Sequence, residues 1–228
     1  MVNNYVVLEI FGEGKTDIGK AKSSEPELPR TGVVAILVHM LCGCPASMRV
    51  KRKPSIFLQG KGWTQKVKFA KRQAFYNKSA GVVFVLDTEG DHKERMDELE
   101  KGRNAAHLDF PMAIGVAHPC IETWLLADAK AIKKAMDLKS LPTVSDTPET
   151  MPAPQRDRKN NPKIALAIAA EIKKAELSSV DKDRITLEIR DLALICERCP
   201  IGFQPFAAEV ELRIKPLFAV PLIDGQTL

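Results

Sequence analysis

Tyr5-Val6-Val7-Leu8-Glu9-Ile10-Phe11 runs straight into Gly12-Glu13-Gly14-Lys15-Thr16-Asp17, and Gly81-Val82-Val83-Phe84-Val85-Leu86 runs straight into Asp87-Thr88-Glu89-Gly90-Asp91. Each stretch is a short apolar run rich in β-branched residues that ends in a turn carrying acids. That is the signature of a strand buried on both faces, as in a parallel sheet. In such sheets the carboxyl ends of the strands share one edge, where ligands bind. Two acidic clusters at two strand ends therefore converge on one place. Carboxylates left together repel, so a convergent set holds a cation. Glu13, Asp17, Asp87, Glu89 and Asp91 are the metal candidates on this reading.

Working outward, a helix is expected from Thr31 or Gly32 to about Cys42, with Val34, Leu37, Val38 and Leu41 on one face. A short edge strand is expected over Pro54 to Gln59, and a helix from Thr64 to about Asn77. A polar helix is expected from Asp91 to about His107, and a further buried strand over Pro111 to Ala117. Alternating strands and helices define an α/β fold with a mostly parallel sheet flanked by helices. After His118-Pro119 the character turns helical. Helices are expected at Ile121–Asp128, then to about Met136, and at about 162–176, 182–198 and 204–215. Residues 140–162 hold five of the fifteen prolines and read as a long loop or lid. The organisation expected is an α/β core over 1–128 and a helical extension over 129–228 packed on it.

Composition excludes several classes. With 45% hydrophobic and 28% charged residues, the 228-residue chain reads as an ordinary soluble protein. No basic segment precedes an apolar run at the start, and the longest apolar stretch, Val33 to Cys44, is too short to span a bilayer. Five cysteines without framework spacing fit a reduced, cytoplasmic compartment. Cys196-Glu197-Arg198-Cys199 is better read as buried thiols than as zinc ligands. His118 and Cys120 read as structural.

The net charge of +5 hides an asymmetry. Arg49 to Lys78 carries ten basic residues and no acid. Of these, Lys51, Arg52, Lys53, Lys61, Lys66, Lys68, Lys71 and Arg72 are the candidates for phosphate contacts, with Lys163 further on. Trp63, Phe69, Phe75 and Tyr76 are interleaved. Phe69 and Phe75 lie near helical spacing with Val67 and read as core.

Gly14-Lys15-Thr16 after a strand also suggests a nucleotide-binding P-loop, but the first glycine of that motif would fall at Glu9, inside the strand. A carboxylate at Glu13 would oppose the phosphate that backbone amides must cradle.

Glu13-Gly14-Lys15-Thr16-Asp17 followed by Asp87-Thr88-Glu89 resembles the Toprim domain of topoisomerases, primases and OLD-family nucleases. The resemblance is closer to a group of Toprim-like bacterial proteins of unknown function. It rests on Glu122-Thr123-Trp124-Leu125-Leu126-Ala127-Asp128, on Asn161-Pro162-Lys163, and on Arg198-Cys199-Pro200 with Phe203. Glu89 stands where the Toprim pattern has Asp. The resemblance implies a Mg²⁺- or Mn²⁺-dependent nuclease, in phage defence or DNA repair, with Glu13, Asp87 and Glu89 catalytic. Lys15 would stabilise the phosphorane charge, and Glu122 would be a further metal ligand or a helix N-terminal carboxylate. The alternative, from another class, is a non-catalytic subunit that binds a partner ATPase or nucleic acid. Neither reading involves a membrane, and both leave room for a homo-oligomer. Asp128 is expected to cap the following helix and Asn161 the one begun by Pro162. Lys163 would then sit at a positive helix end, which calls for an anion beside it.

Overall fold

The computed structural model describes residues 5–13, 25–55, 58–88, 91–174 and 176–219. Among the described residues four strands form one sheet: β1 (Val6–Gly12), β2 (Met48–Pro54), β3 (Gly81–Asp87) and β4 (Met112–Ala117). Their order is β2-β1-β3-β4 and every neighbour pair is parallel. The fold is therefore α/β with an all-parallel sheet, as the apolar runs predict. The edge strand differs. It comes before Pro54, because Met48, Val50, Arg52 and Pro54 alternate inward along it.

The period of two along each strand sorts its side chains between two faces. Leu8, Ile10, Val83, Val85, Ala113 and Ala117 face the larger core. Phe11, Val82, Phe84, Leu86, Met112, Ile114 and Val116 face the smaller one. The smaller core is closed by α2 (Gly62–Tyr76) and α3 (His92–Asn104). The larger is closed by α1 (Val33–Leu41) and by the C-terminal helices. These are α4 (Glu122–Leu126), α5 (Ala129–Ala135), α6 (Pro162–Ala169), α7 (Ser179–Glu188), α8 (Leu192–Arg198) and α9 (Phe203–Arg213). The C-terminal helices thus share one core with the sheet.

Glycine makes the contact between β4 and α9. A Cβ at Gly115 would lie 2.5 Å from Phe206 Cδ2 and 3.3 Å from its Cβ. Phe206 cannot retreat, because it is fully buried and stacked on Trp124 at 5.3 Å. Gly115→Ala is expected to destabilise the fold by about 1–3 kcal/mol through overpacking, read as a lower midpoint in urea.

The proline-rich segment is tied down in its middle. Glu149 is buried and accepts the Ile201 and Gly202 N–H groups, each at 2.7 Å. Burial pushes its carboxyl above the ordinary range despite those bonds. A carboxylate there satisfies orphan N–H groups at the start of α9. Arg198 adds a bond to Asp146 at 2.9 Å.

Candidate functional site

The carboxyl edge of the sheet collects the ends of β1, β3 and β4. Glu13 follows β1 directly, and Asp87 closes the adjacent β3. Asp87 Oδ1 accepts the Ile121 N–H at 3.0 Å, which orients the carboxylate. The neighbouring Thr88 ties the same turn to β3. Its N–H donates to Ala117 O at 2.9 Å, and its hydroxyl lies within 3.2 Å of His118 Nδ1 and Pro119 O.

Glu122 starts α4 behind this edge and is 2% exposed. Lys182 of α7 donates to its Oε1 at 2.5 Å, and both side chains are buried. Burial pushes the Glu122 carboxyl up, but the Lys182 ammonium, aided by Lys163, outweighs it and holds the group below its ordinary value. Its other oxygen, Oε2, has no hydrogen-bond partner among the described residues, an uncommon state for a buried carboxylate oxygen. Beside it, burial and then the charges of Glu122 and Asp87 push the Cys120 thiol well up, so this cysteine is not a thiolate nucleophile.

Lys163 reaches toward the same cluster from α6. Asn161 caps that helix by accepting the Lys163 and Ile164 N–H groups at 3.0 and 3.2 Å. The anion expected beside Lys163 is carboxylate: Glu176 lies at 3.6 Å. Burial would lower the Lys163 ammonium, but Glu122, Glu176 and Asp87 outweigh it and raise it above its usual value. It therefore stays charged at neutral pH.

Two imidazoles complete the edge. His92 and His118 meet edge to face at 5.7 Å. Burial holds both below the ordinary histidine value, and for His118 the neighbouring His92 and Arg156 add to the effect. Neutral rings add no positive charge to the edge.

Several candidates from the sequence are placed elsewhere. Asp91 caps α3, accepting the Lys93 and Glu94 N–H groups. Glu122 is paired through Oε1 with Lys182. Arg52 is buried and pairs with Glu27 and Thr31. Lys53 donates to Glu9 at 2.8 Å, where Asn77 and Ser79 also donate. Lys71 is buried with its ammonium held down by desolvation, then by Arg103 and Arg213, and donates to Arg103 O at 3.4 Å. Arg52, Lys53 and Lys71 thus make bonds within the fold. Lys51, Lys61, Lys66, Lys68 and Arg72 remain at least partly exposed.

Lys15, Asp17 and Glu89 lie outside the described residues, as do Gly14 and Thr16 of the P-loop alternative. Among the described residues no three His, Cys, Asp or Glu side chains group as a metal cage. Mg²⁺ does not need one: it takes one or two carboxylates and keeps several waters. Glu13 and Asp87, at neighbouring strand ends, fit that chemistry. Asp128 caps α5 through Ala131 N–H at 3.0 Å, as expected.

Lys182 is the residue that sequence reasoning missed. One signal marked it: Lys182, Ile185, Thr186 and Ile189 fall at i, i+3, i+4 and i+7, so a lysine occupies a core position of its helix.

No described helix is long and apolar enough to cross a membrane. Residues 27–211 match the family described as "Domain of unknown function (DUF4276)". That is most of the chain, which therefore belongs to this family. No curated protein and no solved structure matches it.

Proposed function

We propose that this DUF4276 chain is a Mg²⁺- or Mn²⁺-dependent, Toprim-type phosphodiester hydrolase acting on nucleic acid at the carboxyl edge of its sheet. The observation that carries this reading is Asp87, at the end of β3, close enough to the half-buried Lys163 to help raise its ammonium, with Glu13 following the neighbouring strand. Glu13 and Asp87 would hold the metal. When bound, it would supply Lewis-acid polarisation of the phosphodiester and a coordinated water of lowered pKa.

The chain's own residues supply the rest. The Ile121 N–H fixes the Asp87 carboxylate, so orientation is set before any ligand arrives. Lys163 offers a permanent positive charge to the phosphoryl oxygens. Lys182 neutralises Glu122 and so limits the like-charge repulsion among the acids.

One observation favours the non-catalytic alternative. An internal ammonium already sits on Glu122, where a second metal would otherwise be held. A cleavage assay over Mg²⁺, Mn²⁺, Ca²⁺ and chelator, on mixed DNA and RNA, single- and double-stranded, separates the two. The hydrolase reading predicts cleavage with Mg²⁺ or Mn²⁺ that Glu13→Ala abolishes. Binding of nucleic acid without cleavage under any metal would select the non-catalytic subunit.

A further inference from the structure

Helix α2 carries two stripes. Val67, Ala70, Lys71 and Ala74, at i, i+3, i+4 and i+7, are buried against the sheet. Phe69, Arg72, Gln73 and Tyr76 have the same spacing two residues on, which turns them to the opposite side. Phe69 and Phe75 are therefore not core. Phe69 is 36% exposed, Phe75 45% and Tyr76 76%. With Leu58 and Gln59, the outward stripe lines a groove of about 430 Å³, a volume that accepts a nucleotide-sized group.

The groove's chemistry is specific. Its six described lining residues supply two aromatic rings, a guanidinium and two amides, and among them there is no carboxylate. The rings are held in place. Phe75 meets Tyr76 edge to face at 5.7 Å and Phe110 at 5.9 Å. Gly60, at φ +103°, lets the preceding loop close on Phe69: a Cβ there would stand 2.6 Å from Gln65 Cβ and 3.4 Å from the Phe69 ring. Lys68 stands one turn before Arg72 on the same helix.

We infer that this face of α2 is a stacking platform for single-stranded nucleic acid. Unpaired bases lie on Tyr76 and Phe69, and Arg72 answers the phosphate charge. Aromatic rings beside cations in a groove are how strands are held without sequence readout. A duplex keeps its base faces inside and offers only phosphates to such a surface. The positive charge disfavours a basic partner surface. The inference takes its substrate class from the nucleic-acid reading of the sheet edge.

The test is fluorescence anisotropy of labelled oligo-dT, and of a duplex of equal length, on the full chain with chelator present. Wild type is expected to bind oligo-dT more tightly than duplex. Phe69→Ala with Tyr76→Ala should weaken oligo-dT binding by on the order of tenfold or more, with the slope of log affinity against log salt unchanged. Tyr76→Phe keeps the ring and should retain binding. Arg72→Met should reduce that slope by about 0.7. Unchanged oligo-dT affinity in the double alanine variant, or an equal loss on duplex, would overturn the inference. So would a loss of self-association in that variant, which assigns the face to a second copy. Because chelator silences metal chemistry, failure here leaves the cleavage assay standing, and failure of cleavage leaves this result standing.

Discussion

Replacing Lys182 by Met is expected to lower the unfolding free energy by about 3–5 kcal/mol, because it leaves the Glu122 charge buried without its partner. The pair is closed at 2.5 Å with both side chains 3% exposed. No solvent reaches the carboxylate to replace the ammonium. For a chain of this size that is a fall of roughly 10 °C in Tm. The pH dependence has a definite sign. In the native protein Glu122 is held below its ordinary value of 4.5. It therefore contributes stability that is present above that value and lost as pH falls through the lower folded value. In Lys182→Met, burial acts with Lys163 and Cys120 still opposing it, and the carboxyl moves up. The variant then takes up a proton on folding, so its deficit narrows as pH is lowered. Adding Glu122→Gln should recover part of the loss, since neutral groups in place of a buried pair are tolerated far better than half of it. Urea titrations of the single and double variants at neutral and mildly acidic pH check both statements.

The strands that build the edge were legible because β1, β3 and β4 are buried on both faces, and such strands read as unbroken apolar runs. β2 was not, because it is a half-charged edge strand. Arg52 occupies an inward position made tolerable by its pairing with Glu27, 25 residues earlier, and by its bonds to Thr31. Helix α2 was recognisable as a helix, but its inner face was misjudged. Lys71 takes a core position by burying its chain and reaching Arg103 O, and this displaces the aromatics to the outside. Asp87 and Glu13 could be placed at the edge from strand ends alone. The partnership of Glu122 with Lys182 could not, since 60 residues separate them and only the docking of α7 on α4 brings them together.

The second large effect concerns the metal. Glu13→Gln with Asp87→Asn is expected to remove divalent-cation binding while leaving the fold as stable as before or slightly more so. Asn at position 87 keeps an oxygen for the Ile121 N–H, and the loss of two negative charges relieves repulsion among the acids. A neutral amide oxygen replaces a carboxylate poorly for Mg²⁺, a hard cation that selects charged oxygen ligands. The same variant should be inactive in the cleavage assay.

Isothermal titration calorimetry of Mn²⁺ into the wild-type chain and into Glu13→Gln/Asp87→Asn tests the central claim most directly. A binding isotherm in wild type and a flat trace in a folded double variant is the predicted result. Undiminished affinity in the double variant would place the cation elsewhere and contradict the account.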